Sequence, residues 1–392
     1  MGGAPSGALF LYRQRAKSKA HGTNQLSRKN TIIAYLIAKR MNNSKFWYAP
    51  VVALLTCSCA NSVKDFELVD EHNVPTKEIE LQKLELDETP LAPQSLCFVD
   101  TFLIAFEDEQ GRTTDFISVY SNNKLIKKFG SVGRGPADIL LPRSFSEGRC
   151  EHKYLNAGGS GKFIRYDIDS LIYNNKLVYK SEELPKAMEL CNNMLINNDS
   201  LWVAFRTCEH QLTFYNKKND SVMGYANYDK SHFGDRVTDF IYNMQVFPAT
   251  YTSNNEVIII AYNYWKAIDI VTNTGKLKRR LRFDGYDNNI NKMRLDASGN
   301  IANVFYDDDA SVYFYDASAT ENGFYAFCLD TVWTPDSKTK MYKFDWDGNL
   351  QMIYHLNKFV RGSVIYNGKI YGISLAAEEN EDSDFEIYCA EL

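Results

Sequence analysis

Several stretches of this chain set reactive or ligand-binding residue types close together. Gly158-Gly159-Ser160-Gly161-Lys162 holds the glycines, serine and lysine of nucleotide-binding and acyl-transfer motifs. A phosphate-binding P-loop needs four residues between its first and second glycines, then Lys and Ser/Thr, and a nucleophile elbow needs G-x-S-x-G. Neither spacing is met, so a strand turn is expected. Cys150-Glu151-His152 and Cys208-Glu209-His210 each put sulfur and imidazole two residues apart. On a strand both would face one side and could reach one metal ion. Nothing local joins the two pairs, and they read as unrelated core and surface residues. Asp307-Asp308-Asp309 and the run from Glu378 to Asp384 offer oxygens. They lack the spaced ladder and glycine of a calcium loop, which points to solvated acidic loops. No catalytic residue, metal or cofactor is expected.

The loop in FGSVGRGPADILLP supplies Gly130, Gly133, Arg134, Gly135 and Pro136. Its backbone N–H groups and Arg134 could cradle an anion. No helix follows to add its dipole. A structural connector, needing glycine φ values and a proline stop, is the expected reading. Trp202, Tyr262, Tyr264, Trp265 and Trp346 could line a sugar or peptide site, but packing between sheets is the default expectation, with one or two at a mouth.

The elements that must position these residues are short strands and tight turns. Phe116 to Tyr120 is β-branched and aromatic, which suits a packed, pleated surface. Asn122-Asn123 tolerates positive φ and can make the primed turn of a hairpin. Leu125, Ile126 and Phe129 return without clean alternation, as in a strand covered on both faces. Similar hairpins turn near Asn175, Asp220, Gly275 and Gly348, at spacings of 52, 45, 55 and 73 residues. A second kind lies at Phe98 to Phe106, Asn193 to Phe205, Tyr251 to Tyr262 and Val364 to Ser374. Two hairpins in about 50 residues make a four-stranded unit of propeller-blade size. The final unit ends in a lone strand, Phe385 to Leu392. Alternating residues from Lys77 to Leu86 can supply its missing partner and remove the exposed edge. The expected fold is all-β: a six-bladed β-propeller of four-stranded antiparallel blades, its ring closed by an N-terminal strand. The 73-residue spacing leaves room for an insertion or a seventh blade. One helical turn is expected within Ser181 to Met188.

Length alone allows two or three domains, and 45% apolar residues suffice for a large core. Charge divides the chain. No acidic residue precedes Asp65 while ten Lys and Arg do, so the remainder holds 34 basic residues against 49 acidic ones. Phosphate binding needs a surplus of Lys and Arg, so nucleic acid is excluded as the expected partner. Phe46 to Leu55 is an apolar run of ten behind a short basic lead. It is too short for a bilayer span, which needs about 20, and suits a secretory signal. Thr56-Cys57-Ser58-Cys59-Ala60 follows. The small residue before Cys59 makes Cys59 the expected lipidation site of a lipoprotein signal. Cys57 is the alternative, with Leu54 three residues before it; an ordinary signal with incidental cysteines is the plainer reading. Residues 1–40 read as a misassigned extension upstream of Met41, or as a long basic lead. Residues 41–59 are then the signal, 60–76 a tether and 77–392 the propeller. Cys191 and Cys208 flank one hairpin and are the expected pair if a disulfide forms. The other body cysteines read as small apolar residues.

The glycine loop, the DWDGNL turn at Asp345 to Leu350 and the lipoprotein signal together resemble the TolB-like six-bladed propeller lipoproteins of Gram-negative bacteria, over about residues 60–392. The family loop reads G-x-x-G-x-G-P-x-[ED], matched by Gly130, Gly133, Gly135, Pro136 and Asp138. The resemblance brings no catalytic residues. The expectation is a monomer, lipid-anchored at the outer membrane and facing the periplasm or the cell surface. It would bind or scaffold an envelope protein, peptide or glycan of neutral or basic character. The alternative is a propeller enzyme, a lactonase-like hydrolase or a dehydrogenase, with a site at the ring axis. No convergent Glu, Asp, Asn or His set is legible for it. A sialidase-like propeller would carry S-x-D-x-G-x-x-W, which is absent.

Overall fold

Asn122 and Asn123 take φ values of 47° and 65°, the left-handed pair that a primed hairpin turn needs. Asp115–Ser121 and Lys124–Ser131 therefore meet antiparallel across it. The structure, a computed structural model, describes residues 66–392 except 108–114, 140–142, 148–153, 160, 189–190, 192, 197–200, 206–209, 227–236, 255, 287, 297–302 and 377–384.

Repeats of such hairpins make a six-bladed β-propeller. Blade 1 is Pro93–Val99, Phe102–Glu107, Asp115–Ser121 and Lys124–Ser131. Blade 2 is Arg143–Glu147, Tyr154–Gly159, Lys162–Asp167 and Val178–Glu183. Blade 3 is Asn193–Ile196, Leu201–Phe205, Leu212–Asn216 and Ser221–Tyr225. Blade 4 is Ala249–Ser253, Val257–Tyr262, Ala267–Thr272 and Leu277–Arg282. Blade 5 is Val312–Thr320, Gly323–Thr331, Lys340–Phe344 and Leu350–Leu356. Blade 6 is Arg361–Tyr366, Lys369–Leu375, Phe385–Glu391 and, from the other end of the chain, Gln82–Lys83.

Both faces of a blade are covered by its neighbours, which is why the apolar residues run on rather than alternate. Val257–Tyr262 is buried at every position. Aromatic side chains fill the seams. Between blades 4 and 5, Phe283, Phe314, Phe324, Tyr342 and Phe344 are all buried, with Phe324 and Phe344 stacked at 4.8 Å and Phe283 edge-on to Tyr342 at 5.4 Å.

Three local expectations change. The turn near Asn175 is the end of a helix, Ile168–Asn174, capped by the Asp167 carboxylate at its start and by left-handed Asn175 at its end. Asn serves a hairpin turn and a helix C-terminus through the same positive φ, so the residue alone does not separate them. The long spacing before Gly348 holds an insertion rather than a seventh blade: a short hairpin of Met293–Asp296 and Asn303–Tyr306 between blades 4 and 5. The stretch from Ser181 is the end of a strand, and only Lys186–Met188 forms a helical turn, of the 3₁₀ kind.

The N-terminal closure also differs in detail. Lys77 to Leu86 is not one strand on the last blade. Thr76–Ile79 lies parallel to Leu350–Leu356 at the rim of blade 5, and only Gln82–Lys83 pairs with Phe385–Glu391. Ten extended residues outrun one blade edge, and here they pass from one blade to the next. The strap starts earlier than residue 77, so the tether drawn to residue 76 is too long. Glu67–Leu68 lies parallel to Leu277–Arg282 of blade 4, and Val69 N–H donates to Arg282 O at 2.8 Å. Past blade 6 the strap reaches blade 1, where Asp87 accepts from Leu125 N–H at 2.7 Å.

One carboxylate clamps this strap. Glu71 accepts from Lys340 Nζ at 2.6 Å, from Tyr342 Oη at 2.6 Å and from Lys266 Nζ at 2.9 Å. Lys266 also meets Asp330 at 2.8 Å. Burial pushes the Glu71 carboxyl up, but the three donors overturn that and hold it at about 2. Stability from this group is therefore full above its ordinary value of 4.5 and is lost as pH falls toward 2. Glu71→Gln should lower unfolding stability at pH 7 by on the order of 3 kcal/mol. The gap should close as denaturation curves are repeated toward pH 3; a gap independent of pH would contradict this assignment.

Candidate functional site

The glycine-rich loop joins the rim of blade 1 to the next blade. Gly130, near the end of the rim strand, has φ 89°, and a Cβ there would lie 3.0 Å from the Phe116 ring. The loop then folds on its own acid. Asp138 Oδ2 accepts from Gly135 N–H at 2.8 Å. A Cβ on Gly135 would lie 2.4 Å from that oxygen, and one on Gly133 2.7 Å from it. Gly133 N–H reaches Ile139 O at 3.2 Å. From blade 2, Lys162 Nζ donates to Gly135 O at 2.6 Å and to Asp138 O at 3.0 Å. The place an anion would take at Gly135 N–H is held by the chain's own carboxylate. Arg134 and Pro136 are exposed at the loop's outside. Of the GGSGK stretch, Ser160 lies outside the described residues; Gly158 and Gly159 end one strand, Gly161 has φ 81°, and Lys162, which opens the next strand, is the lysine that ties down this loop.

The other sequence candidates fall apart in space or into packing. Cys57, Cys59, Cys150, Glu151, His152, Cys208, Glu209 and Glu378 to Asp384 lie outside the described residues, as does one half of the Cys191–Cys208 pairing. His210 lies across the rim of blade 3, where a Cβ on Gly224 would strike its ring at 1.9 Å. Among the described residues no three His, Cys, Asp or Glu gather as a metal site would require. Asp307 is paired with Arg294 and Asp309 faces Lys292 at 3.5 Å. Trp202 is buried against Phe163 with Lys217 Nζ 4.0 Å above its ring. Tyr262 donates to Asp269 at 2.9 Å and Trp265 to Val246 O at 2.9 Å. Trp346 donates to Glu321 O at 3.1 Å. Tyr264 stacks on Tyr306 of the insertion at 4.0 Å.

The densest titratable cluster is the one at Glu71. Two lysines, two carboxylates and a phenol look like acid–base machinery, but their tuning opposes it. Burial lowers Lys266, yet Asp330 and Glu71 raise it further, so the amine stays protonated. Burial keeps the Tyr342 phenol protonated. Charges balance and each group has a partner, which describes a clamp.

Some solved structures are similar to this chain in fold. A Bacteroides vulgatus protein of the DUF4221 family superposes with a TM-score of 0.53 at 10% identity, over 80% of this chain and 98% of that one. A Bacteroides fragilis protein described as exported gives 0.49 at 10% identity, over 83% and 100%. A streptogramin B lyase gives 0.43 at 13% identity, over 80% and 98%. No family profile and no curated protein matches the sequence. At such identities the first of these likenesses speaks for the fold alone.

Near the ring axis the structure adds a site that sequence reasoning did not find. Asp316 lies on the innermost strand of blade 5, at a bulge that re-aims its side chain. Its oxygens accept from Ala317 N–H at 2.9 Å and, across the seam, from Ser363 N–H of blade 6 at 2.7 Å. Ser318 Oγ accepts from Ile365 N–H at 3.0 Å in the same way. Two innermost strands without a shared ladder are thus stitched by side chains. The bulge on blade 6 uses Gly362 at φ 56°, where a Cβ would meet Gln94 O at 2.4 Å. Burial raises the Asp316 carboxyl to about 6, against the two N–H donors and the Arg361 charge.

A raised carboxyl favours the fold as the acid. That contribution is full below the ordinary value of 3.8 and is lost as pH rises through about 6. Asp316→Asn keeps an acceptor for Ser363 and should stabilise the protein at pH 8 by on the order of 2–3 kcal/mol, with no gain at pH 4. Equal effects at both pH values, read by chemical denaturation, would remove this account. Gly135→Ala should cost about 1–2 kcal/mol because it displaces Asp138; an unchanged melting temperature would show the loop to be slack.

Proposed function

We propose that this chain is an exported, lipid-anchored β-propeller that acts as a binding or scaffolding module in the cell envelope. The observation that carries the reading is where the strap begins. The signal-like run and its cysteines end at residue 60, and by Phe66 the chain lies against the ring, its ring 4.2 Å from the Arg282 guanidinium. An anchor at Cys59 would join a strap bonded to blades 4, 5 and 6, so the ring would be held at the membrane by its rim rather than by a loose end. The likeness of the glycine loop and DWDGNL turn to TolB-like envelope propellers supports the same address. The acidic body, 34 basic against 49 acidic residues, favours a neutral or basic protein, peptide or glycan.

The propeller-enzyme alternative needs a reactive group at the axis. Asp316 has the perturbed carboxyl such a site would use, but both its oxygens accept backbone N–H groups, and it serves the seam.

Palmitate labelling followed by envelope fractionation tests the anchor. The wild type should take label and sediment with outer membrane, and Cys59→Ala should lose both. Label that persists in Cys59→Ala but not in Cys57→Ala would move the anchor to Cys57. Label in neither protein would sink the lipoprotein reading.

A further inference from the structure

The strap covers the rims of blades 4, 5 and 6 by adding strands to them. Val178–Glu183, at the rim of blade 2, has no such cover among the described residues. Its burial pattern is exposed at every position except Glu182. An uncovered edge strand is a template for another strand.

Its hydrogen-bonding direction follows from the register. Leu184 N–H donates to Gly161 O at 2.7 Å, and the ladder continues as Lys162↔Glu183, Phe163↔Glu182 and onward to Asp167↔Val178. Antiparallel pairs alternate between hydrogen-bonded and not. Val178, Lys180 and Glu182 therefore turn their backbone groups inward, and Tyr179, Ser181 and Glu183 turn theirs out from the ring.

We propose that this edge pairs with the same edge of a second copy, antiparallel about a two-fold axis through Ser181. Outward backbone groups can meet outward ones in five registers, centred on residues 179 to 183, and of these only the ones centred on 180, 181 or 182 pair at least two of the three outward residues of each strand. Centring on Lys180 sets two ammonium groups face to face, and centring on Glu182 sets two carboxylates face to face. Like charges directly opposite are destabilising. Centring on Ser181 places each Lys180 across from the partner's Glu182, each Tyr179 across from the partner's Glu183, and hydroxyl against hydroxyl. Roughly six backbone hydrogen bonds then cross the axis. Glu182 is already held in place by Lys217 of blade 3 and by Lys180 of its own strand, both at 2.6 Å, so across the axis each copy's Lys–Glu pair meets the other's in reversed order. Leu177, Val178 and Tyr179 are 37–39% exposed and Tyr173 is 71% exposed, so an apolar margin flanks the strand. Such an isologous contact closes on itself and stops at two copies. It is smaller than the standard stable interface, so the pairing depends on concentration. This inference does not depend on the envelope reading.

Sedimentation velocity on the purified full chain, at about 1 µM and about 100 µM, tests it. The 44.9 kDa chain should shift from monomer to dimer across that range. Ser181→Pro removes only an outward N–H and is tolerated at a sheet edge; it should remain monomeric at about 100 µM with an unchanged far-ultraviolet spectrum. Lys180→Glu should do the same. The register is read by mild oxidation. Hydrogen-bonded antiparallel partners have Cα atoms about 5.5 Å apart, within disulfide reach, so Ser181→Cys should cross-link to a covalent dimer while Tyr179→Cys should not. A wild type monomeric at both concentrations, a dimer indifferent to Ser181→Pro, or cross-linking at Tyr179→Cys in preference to Ser181→Cys would overturn the proposal.

Discussion

A closed ring of sheets must join the chain's two ends, here in blade 6 where Gln82–Lys83 pairs with Phe385–Glu391, and the strap that makes this joint is locked upstream, on blades 4 and 5, by the charge of Glu71. The carboxylate lies between Lys266 of blade 4 and Lys340 of blade 5 and bonds both. Without it two ammonium groups, one with a side chain only 6% exposed, would face a buried site with Asp330 alone to balance them. Burying an unpaired charge is among the costliest things a fold can do. The strap is therefore required where it lies, and its short strands follow: parallel on blades 4 and 5, antiparallel on blade 6.

Buried carboxylates do similar work within blades and between them. Asp269 is fully buried and accepts two bonds from Arg280, both 2.7 Å, and one from Tyr262. Glu107 is buried and accepts from Leu91 N–H at 2.9 Å and from Ser118 Oγ. Asp316 accepts an N–H from the next blade. In each case a carboxylate satisfies donors that no ladder reaches. Blades 2 and 3 share a short parallel ladder, Leu195↔Ser146 and Ile196↔Glu147; blades 5 and 6 share none between their innermost strands, and side chains supply the directional bonds there.

Sequence patterns revealed the repeat and much less of its joints. Asn122-Asn123, Asp220, Gly275 and Gly348 each mark a real hairpin because a tight turn depends on φ values that only a few residue types take easily. Asn175 misled because a helix end uses the same φ. The ring closure was legible as a strand near residue 80, but its division among blades was not, since Glu67, Thr76 and Gln82 each pair with residues more than 200 positions away. The axial carboxylate was invisible for a related reason. Asp316 sits in VYFYDASAT, a stretch that reads as plain strand, and its partner Ser363 is 47 residues on. No local signal marks a residue whose role is fixed by the neighbouring blade.

If the strap holds the ring shut, its backbone amides and those of the rims it covers open together. Native-state amide exchange measures this directly. The account predicts that Lys77, Ile79 and Leu84, whose amides face the rims, exchange with the same opening free energy, and the same denaturant dependence, as Leu277–Arg282, Leu350–Leu356 and Phe385–Glu391. Strap amides exchanging at unprotected rates while those rim strands stay fully protected would contradict it.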